Sequence, residues 1–290
     1  MNAGEDTLYS LVLTLVPTRE ATVRATMGHQ VHAAFLRTVR EADAALAKVL
    51  HMPNLPLRPF TVSPLQDVGR AHDGKVRLSP ERDYWLRFTV LYPPIFQQFM
   101  GRFLRSEGRP VIRLGQAQLL IKEILTTPGS HPWAGYTSWA QLVAEARPHD
   151  EITLEFTSPT AFGFGQKAWG KKVIVLPDPD PVFGSLTRSW NMLAPPSLWL
   201  DKETLMAYVK EHVVIKELPG LKTRMLRFST SPQVGFLGRV TYGLMAQNEE
   251  IRRQLNMLAD LAFYAGVGMK TAQGMGQVRR LVRSPQSGSS

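Results

Sequence analysis

The chain has 290 residues and a formal net charge of +10. This length suits about two domains, and 34 Lys and Arg against 24 Asp and Glu favour a polyanionic partner such as RNA or DNA. The absence of cysteine excludes disulfide scaffolds, thiol nucleophiles and thiolate zinc sites. No apolar run approaches the roughly 18 residues that span a bilayer, and residues 1–7 lack the basic start of a secretory signal. We expect a soluble, cytoplasmic protein with no membrane partner. The alternative to a polyanionic partner is that the positive charge only keeps the protein soluble.

The first half of the chain predicts the order strand, helix, strand, strand, helix, strand. Residues 8–16 form an apolar, β-prone run that stops at Pro17, and apolar residues at steps of three and four predict one helix from about Gly28 to Leu50. The other expected elements are strands near 60–63, 83–91 and 111–125 and a helix at 93–104.

A composition break at 147–150 precedes a second pass of similar order. Residues 152–156 alternate as a half-buried strand and stop at Ser158-Pro159, as the first strand stops at Pro17. Later elements are expected as helices at 181–193, 201–210 and 249–264 and strands near 213–215, 224–228, 236–244 and 277–282. The pattern predicts an α+β fold of two tandem ferredoxin-like (RRM-like, βαββαβ) domains with antiparallel sheets, at 1–147 and 148–283, and a disordered tail at 284–290.

Two Gly-apolar-Gly triplets stand between the last predicted helix and the last strand. Their glycines are Gly266, Gly268, Gly274 and Gly276. Lys270, Arg279 and Arg280 add positive charge beside them, a combination that suits a phosphate ligand.

Neither of two familiar phosphate-binding motifs fits this glycine loop (residues 266–276). A Walker loop is excluded because Met269 separates Gly268 from Lys270. A dinucleotide fingerprint is excluded because the pattern runs from a helix into a strand. A tight helix-to-strand turn that needs positive φ angles is the alternative to a phosphate site.

A second segment, 163–172, places cations among aromatic residues. Its members Lys167, Lys171 and Lys172 surround Phe164 and Trp169. Such a segment can stack bases and bind phosphates, although a surface hairpin with its aromatics packed inward has the same composition. Further RNA-binding candidates in predicted strands are Arg224, Arg227 and Arg239.

These features together resemble one family, the CRISPR-associated endoribonucleases of the RAMP superfamily, which process precursor CRISPR RNA. The glycine loop matches that family in order and spacing, and segments 32–36, 154–162 and 235–242 are also similar to it. The resemblance implies CRISPR repeat RNA as substrate and partner, and cleavage without a metal ion or other cofactor. In that reaction the ribose 2′-hydroxyl attacks the adjacent phosphorus, leaving a 2′,3′-cyclic phosphate (or 3′-phosphate) and a 5′-hydroxyl.

The resemblance leaves further partners and two rival functions open. Other CRISPR effector subunits and a second copy of the chain are both possible partners, since dimers occur in the family. One rival is a non-catalytic RNA-binding subunit that keeps the loop but lacks a working base. The other is a phosphometabolite-binding regulator built on ferredoxin-like domains.

Cleavage of this kind needs a base, an acid and cations, and histidine suits the first two roles near neutral pH. On an ideal helix His32 falls at the boundary of core and surface, whereas His29 is more solvated. The family's helix histidine also precedes an apolar pair, as His32 precedes Phe35-Leu36. We predict His32 as the base, with His29 or a purely packing role for His32 as alternatives.

The remaining site residues are less marked. His29 and His32 could share a zinc ion, but no cysteine or well-spaced carboxylate completes the set, so no metal is predicted. The cations around the helix are Arg19, Arg24, Arg37 and Arg40. Of these we select Arg24 as the one that neutralises the transition state.

Overall fold

The computed structural model describes residues 6–281 except 53, 54, 56, 105–109, 169 and 229–231. The tail predicted at 284–290 therefore lies outside the described residues. The strands are β1 (Thr7–Pro17), β2 (Ala21–Arg24), β3 (Phe60–Val62), β4 (Lys75–Leu78), β5 (Tyr84–Val90), β6 (Val111–Leu114), β7 (Ala117–Leu125), β8 (Gly135–Ser138), β9 (Glu151–Thr160), β10 (Phe162–Lys167), β11 (Gly170–Ile174), β12 (Val213–Glu217), β13 (Lys222–Arg227), β14 (Pro232–Leu244) and β15 (Val278–Leu281). The helices are α1 (Gly28–Ala42), α2 (Ala44–His51), α3 (Pro93–Leu104), α4 (Trp139–Glu145), α5 (Pro179–Leu193), α6 (Lys202–His212) and α7 (Glu249–Ala265).

The two large sheets are antiparallel and share one strand order. The first runs β3-β5-β1-β7-β6, with β8 also on β1, and the second runs β12-β14-β9-β15, with β13 also on β14. In the first sheet the four main strands in chain order are β1, β3, β5 and β7, and in the second they are β9, β12, β14 and β15. In both sheets the spatial order of these four strands is second, third, first and fourth. A helix follows the first strand and another follows the third. This is the βαββαβ ferredoxin-like arrangement, so the predicted fold of two tandem units is confirmed.

Each sheet buries one face against the helices of its own half. Leu11 and Leu13 of β1 share a core with Phe35 of α1, all fully buried. Phe156 of β9 and Trp190 of α5 lie in the second core. Alternation along the strands and the helical period place these side chains on facing surfaces. None of the helices within the described ranges is long and apolar enough to cross a membrane.

The helix predicted from Gly28 to Leu50 is two helices, and Asp43 divides them. Its backbone is extended (φ −149°, ψ 101°), and its carboxylate accepts a hydrogen bond from the Leu46 N–H at 2.9 Å. An aspartate competes with the helical backbone for hydrogen bonds and therefore favours an N-cap over a helix interior. The apolar period continues through both helices, which is why the sequence pattern hides the break.

Two further differences concern strands and the unit boundary. The strand predicted at 111–125 is a hairpin of β6 and β7, because Gly115 turns the chain at φ 61°. In α4, Trp139 and Leu142 pack in the second core, where the Trp139 ring meets the edge of Trp190 at 5.2 Å. The last helix before the predicted boundary at residue 147 thus packs with the second unit, and the boundary itself stays a prediction.

A fully buried arginine holds the two units together. Arg87 of β5 is 2 % exposed and donates from Nε to Ser10 Oγ at 2.8 Å and from Nη1 to Gln277 Oε1 at 2.9 Å. Its Nη2 donates to the Phe263 carbonyl, and its guanidinium lies over the rings of Phe263 (4.2 Å) and Trp133 (4.8 Å). Burial lowers the pKa of Arg87 to about 9, so it remains charged at neutral pH.

We expect Arg87→Met to lower the free energy of unfolding by at least about 2 kcal/mol, because it leaves buried acceptors from both units unpaired. Arg253→Met is the control, since Arg253 is 42 % exposed and its pair with Glu250 lies on the surface; its effect should stay within about 1 kcal/mol. Urea unfolding followed by circular dichroism measures both. Equal losses in the two variants would contradict a special role for Arg87.

Candidate active site

His32 lies on the face of α1 that the second unit covers. It is 6 % exposed, and its ring stacks on Phe60 of β3 at 5.7 Å between centroids. The helical projection predicted a boundary position. His32 is buried more deeply because the short 3-10 turn Thr271–Gln273 of the glycine loop packs against α1.

One hydrogen bond determines the state of the His32 ring. Nδ1 lies 2.8 Å from the carbonyl oxygen of Ala272. A carbonyl only accepts, so Nδ1 carries the proton and the neutral ring keeps its lone pair on Nε2. Nε2 has no hydrogen bond with a described residue. It is also not fully enclosed by the described residues. It is therefore the nitrogen available to take a proton from a ligand.

The pKa of His32 is lowered to about 4, mainly by burial. The hydrogen bond to Ala272 opposes this shift, and the charges of Arg58, His29 and His51 add to it. The ring is therefore neutral at neutral pH. Because the pKa in the folded protein lies below the unfolded value of 6.5, the stabilising contribution is complete above pH 6.5 and is lost as pH falls towards about 4.

Close packing explains the glycines of the loop. Gly266, Gly268, Gly274 and Gly276 have φ angles of 66°, 85°, 92° and 69°. A Cβ atom at Gly268 would lie 2.5 Å from the Ala161 carbonyl oxygen. The Gly268 N–H donates to Ser185 Oγ at 2.9 Å, and the Gly276 N–H donates to the Pro159 carbonyl. These features are those of the tight-turn interpretation, and contact of the four glycines with RNA stays a prediction.

A fifth glycine lets the loop reach His32. Gly28 begins α1, and a Cβ atom there would lie 1.8 Å from the Gln273 carbonyl oxygen. Only a glycine allows the loop backbone to approach the helix this closely. The approach brings the neighbouring Ala272 carbonyl within hydrogen-bond distance of Nδ1.

Acidic partners compensate three of the predicted RNA-binding arginines. Arg279 and Arg239 both pair with Glu155, at 2.7 Å and 3.0 Å, and Arg280 pairs with Asp260 at 3.0 Å. These arginines are held in place within the second unit, and each contributes less net positive charge than the sequence suggests.

The other predicted residues are placed as follows. Lys270 has a left-handed backbone (φ 57°), and its Nζ lies 4.2 Å from the Phe228 ring centroid. Four of the predicted residues are exposed, namely Lys172, Arg224, Arg24 and His29. Arg24 ends β2 opposite Lys75 of β4, and the His29 ring is 6.5 Å from that of His32. Trp169 and the side chains of Lys167, Lys171 and Arg227 lie outside the described residues.

A cleft of about 610 Å³ lies beside the glycine loop, bounded by α5, α6 and the residues Leu55, Leu57 and Arg58. Its basic residues are Arg58, Arg188, Lys202, Lys210 and Lys270, against the single acid Asp180. This excess of positive charge suits a phosphate backbone. Sequence reasoning missed all of these except Lys270. The others stand alone in a proline-rich connection or on amphipathic helices, where no spacing pattern marks them.

Two family models match the chain. "CRISPR Cas6 N-terminal domain" matches residues 7–144, and "CRISPR-associated endoribonuclease Cas6" matches residues 154–278. The chain belongs to the Cas6 family. His32 lies in the region of the first Cas6 model and the glycine loop in that of the second, so the site forms where the two Cas6 regions meet.

Two solved Cas6 structures are similar over most of the chain, and a curated Cas6 protein is similar over part of it. A solved Cas6 product complex is 28 % identical, covering 96 % of this chain and 100 % of that one, with a TM-score of 0.80. Cas6 of Thermus thermophilus is also 28 % identical, covering 95 % and 99 %, with a TM-score of 0.71. The curated Cas6 endoribonuclease of Streptococcus thermophilus is 29 % identical over 128 residues, 44 % of this chain. The chain spans about half (49 %) of that relative's length.

Matched glycines test the packing of the Cas6 glycine loop. Gly276 and Gly220 have nearly equal φ angles, 69° and 68°. An alanine Cβ would lie 2.2 Å from the Val267 carbonyl oxygen at position 276 but would meet nothing within 4 Å at position 220.

Both alanine variants should incur backbone strain of about 1–2 kcal/mol. Gly276→Ala should lose about 1–3 kcal/mol more in free energy of unfolding, because the clash forces the loop to shift. Urea unfolding of the two variants measures the difference. Equal losses would show that the loop has room for a side chain.

Proposed function

We propose that this protein cleaves CRISPR repeat RNA in precursor transcripts to give guide RNAs, without a metal ion. The observation that carries the proposal is the hydrogen bond from His32 Nδ1 to the Ala272 carbonyl, which leaves Nε2 without a partner among the described residues. Membership of the Cas6 family and similarity to a Cas6 product complex support RNA as the ligand.

His32 acts as the general base in this proposal. Nε2 takes the proton of the ribose 2′-hydroxyl as the 2′ oxygen forms a bond to phosphorus, and the bond from phosphorus to the 5′ oxygen breaks. Water protonates the departing 5′ oxygen, and the hydroxide that remains takes the proton from His32, which restores both water and the neutral ring. The products are a 2′,3′-cyclic phosphate and a 5′-hydroxyl. The Ala272 carbonyl holds the ring in one orientation and stabilises the imidazolium as it forms.

The RNA backbone follows the basic cleft in this proposal. Lys270, Lys202 and Lys210 supply positive charge along it, and the exposed Lys172 and Arg224 are further candidate RNA contacts. The glycines shape the loop that presents Lys270. Binding of the phosphate beside His32 raises the low pKa of the ring towards neutrality, since a nearby negative charge favours the imidazolium.

His32→Asn should abolish most cleavage and leave the fold intact. The asparagine amide can donate to the Ala272 carbonyl from a position near that of Nδ1, but it offers no base in place of Nε2. We expect His32→Asn and His32→Ala to lose about 100- to 10,000-fold in single-turnover rate, measured with end-labelled repeat RNA in excess EDTA.

His29→Ala is the control, and it should cleave within about threefold of the wild type, a difference of less than 1 kcal/mol in barrier. If His29→Ala lost most of the cleavage rate and the His32 variants did not, His29 would be the base. Tight RNA binding without cutting by the wild type would instead favour the non-catalytic subunit, and neither binding nor cutting would favour the metabolite-binding regulator.

The pH dependence provides a separate test. At subsaturating RNA the rate reports the free protein, in which the pKa of His32 is about 4. We expect an almost constant rate between pH 7.5 and 5.5, whereas a base with an ordinary pKa near 6.5 loses about tenfold over that interval. A tenfold fall would show that an unshifted group is the base.

A further inference from the structure

Arg58 is held beside His32 by the backbone that follows it. The Leu91 N–H donates to the carbonyl of Pro59 at 2.9 Å, which joins this segment to the end of β5. β3 then begins at Phe60, whose ring stacks on His32. The position of Arg58 is therefore fixed two residues from a ring that contacts the proposed base.

Arg58 lines the cleft, and its guanidinium has no acidic partner among the described residues. It shares the cleft wall with Lys270 and Ala272. Its Nε has no hydrogen-bond partner among the described residues, and the guanidinium forms no ion pair with any of them. A guanidinium that lines a cleft without an internal acid can pair with an anionic ligand bound there.

The charge of Arg58 also reaches His32. Among the charges that lower the pKa of His32, that of Arg58 has the largest effect, ahead of His29 and His51. Arg24, selected from the sequence, lies exposed on the β2–β4 ribbon, and its role stays a prediction.

We propose that the Arg58 guanidinium binds a non-bridging oxygen of the scissile phosphate and neutralises the charge that develops there while His32 Nε2 accepts the 2′-hydroxyl proton. This inference rests on the proposed function. The planar guanidinium can donate two parallel hydrogen bonds to a phosphate, which an ammonium cannot. Arg58 is then a second catalytic residue, contributed by the connection before β3.

The proposed role of Arg58 can be tested with repeat RNA in excess EDTA. The variants are Arg58→Gln and Arg58→Lys, with Arg253→Gln as the control. The single-turnover rate at saturating RNA should fall about 100- to 1,000-fold in Arg58→Gln, as when a preorganised donor to a developing oxyanion is removed. The dissociation constant should change less than about tenfold, because the cleft keeps its other cations. Arg58→Lys should recover part of the rate, since the charge remains. Arg253→Gln should match the wild type.

A second readout separates a direct role from a structural one. Arg58→Gln should raise the pKa of His32 in an NMR titration of the imidazole, because a nearby positive charge has been removed. A saturating rate within threefold of the wild type, or an unchanged pKa for His32, would overturn the assignment while leaving the proposed function in place. Failure of the wild type to cut would overturn the proposed function and this assignment with it.

Discussion

The hydrogen bond from His32 Nδ1 to the Ala272 carbonyl is the contact on which the site depends. It joins a helix of the first unit to a loop of the second, 240 residues later in the chain. It forms because Gly28 lets the loop backbone approach α1, and it determines which ring nitrogen is available. Burial by the same loop lowers the pKa of the ring. Position, tautomer and protonation state of the proposed base thus share one cause, and neither unit has the site alone.

The interface around Arg87 fixes both ends of that loop. Arg87 donates to the Phe263 carbonyl just before the loop and to Gln277 just after it, and Gln277 in turn donates to the carbonyl of Val62 in β3. Thr89 Oγ1 donates to the Tyr264 carbonyl at 2.6 Å. The loop is therefore clamped to β3 and β5 of the first unit at both ends. Its glycines serve this close fit, and the N–H groups of Gly266, Gly268 and Gly276 donate hydrogen bonds within the protein.

Some basic residues form ion pairs within the fold, and others line the cleft. Arg239 and Arg279 share the carboxylate of Glu155, and Arg280 pairs with Asp260, so these cations organise the second sheet. The cleft beside the loop instead combines several basic side chains with one acid. The net charge of +10 predicted a polyanionic ligand, but pairing within the fold determines which cations remain for it.

The sequence by itself determined the main strands and helices of the two ferredoxin-like units and the helical segment that carries His32, because strand alternation and helical period are local signals. It did not reveal the break at Asp43, where the apolar period runs on through a capping residue. Only the tertiary structure decided the burial of His32, the nitrogen it exposes and the place of Arg58 beside it. Those properties arise from contacts between distant segments, and a glycine that permits close approach or a lone arginine in a connection has no period to mark it.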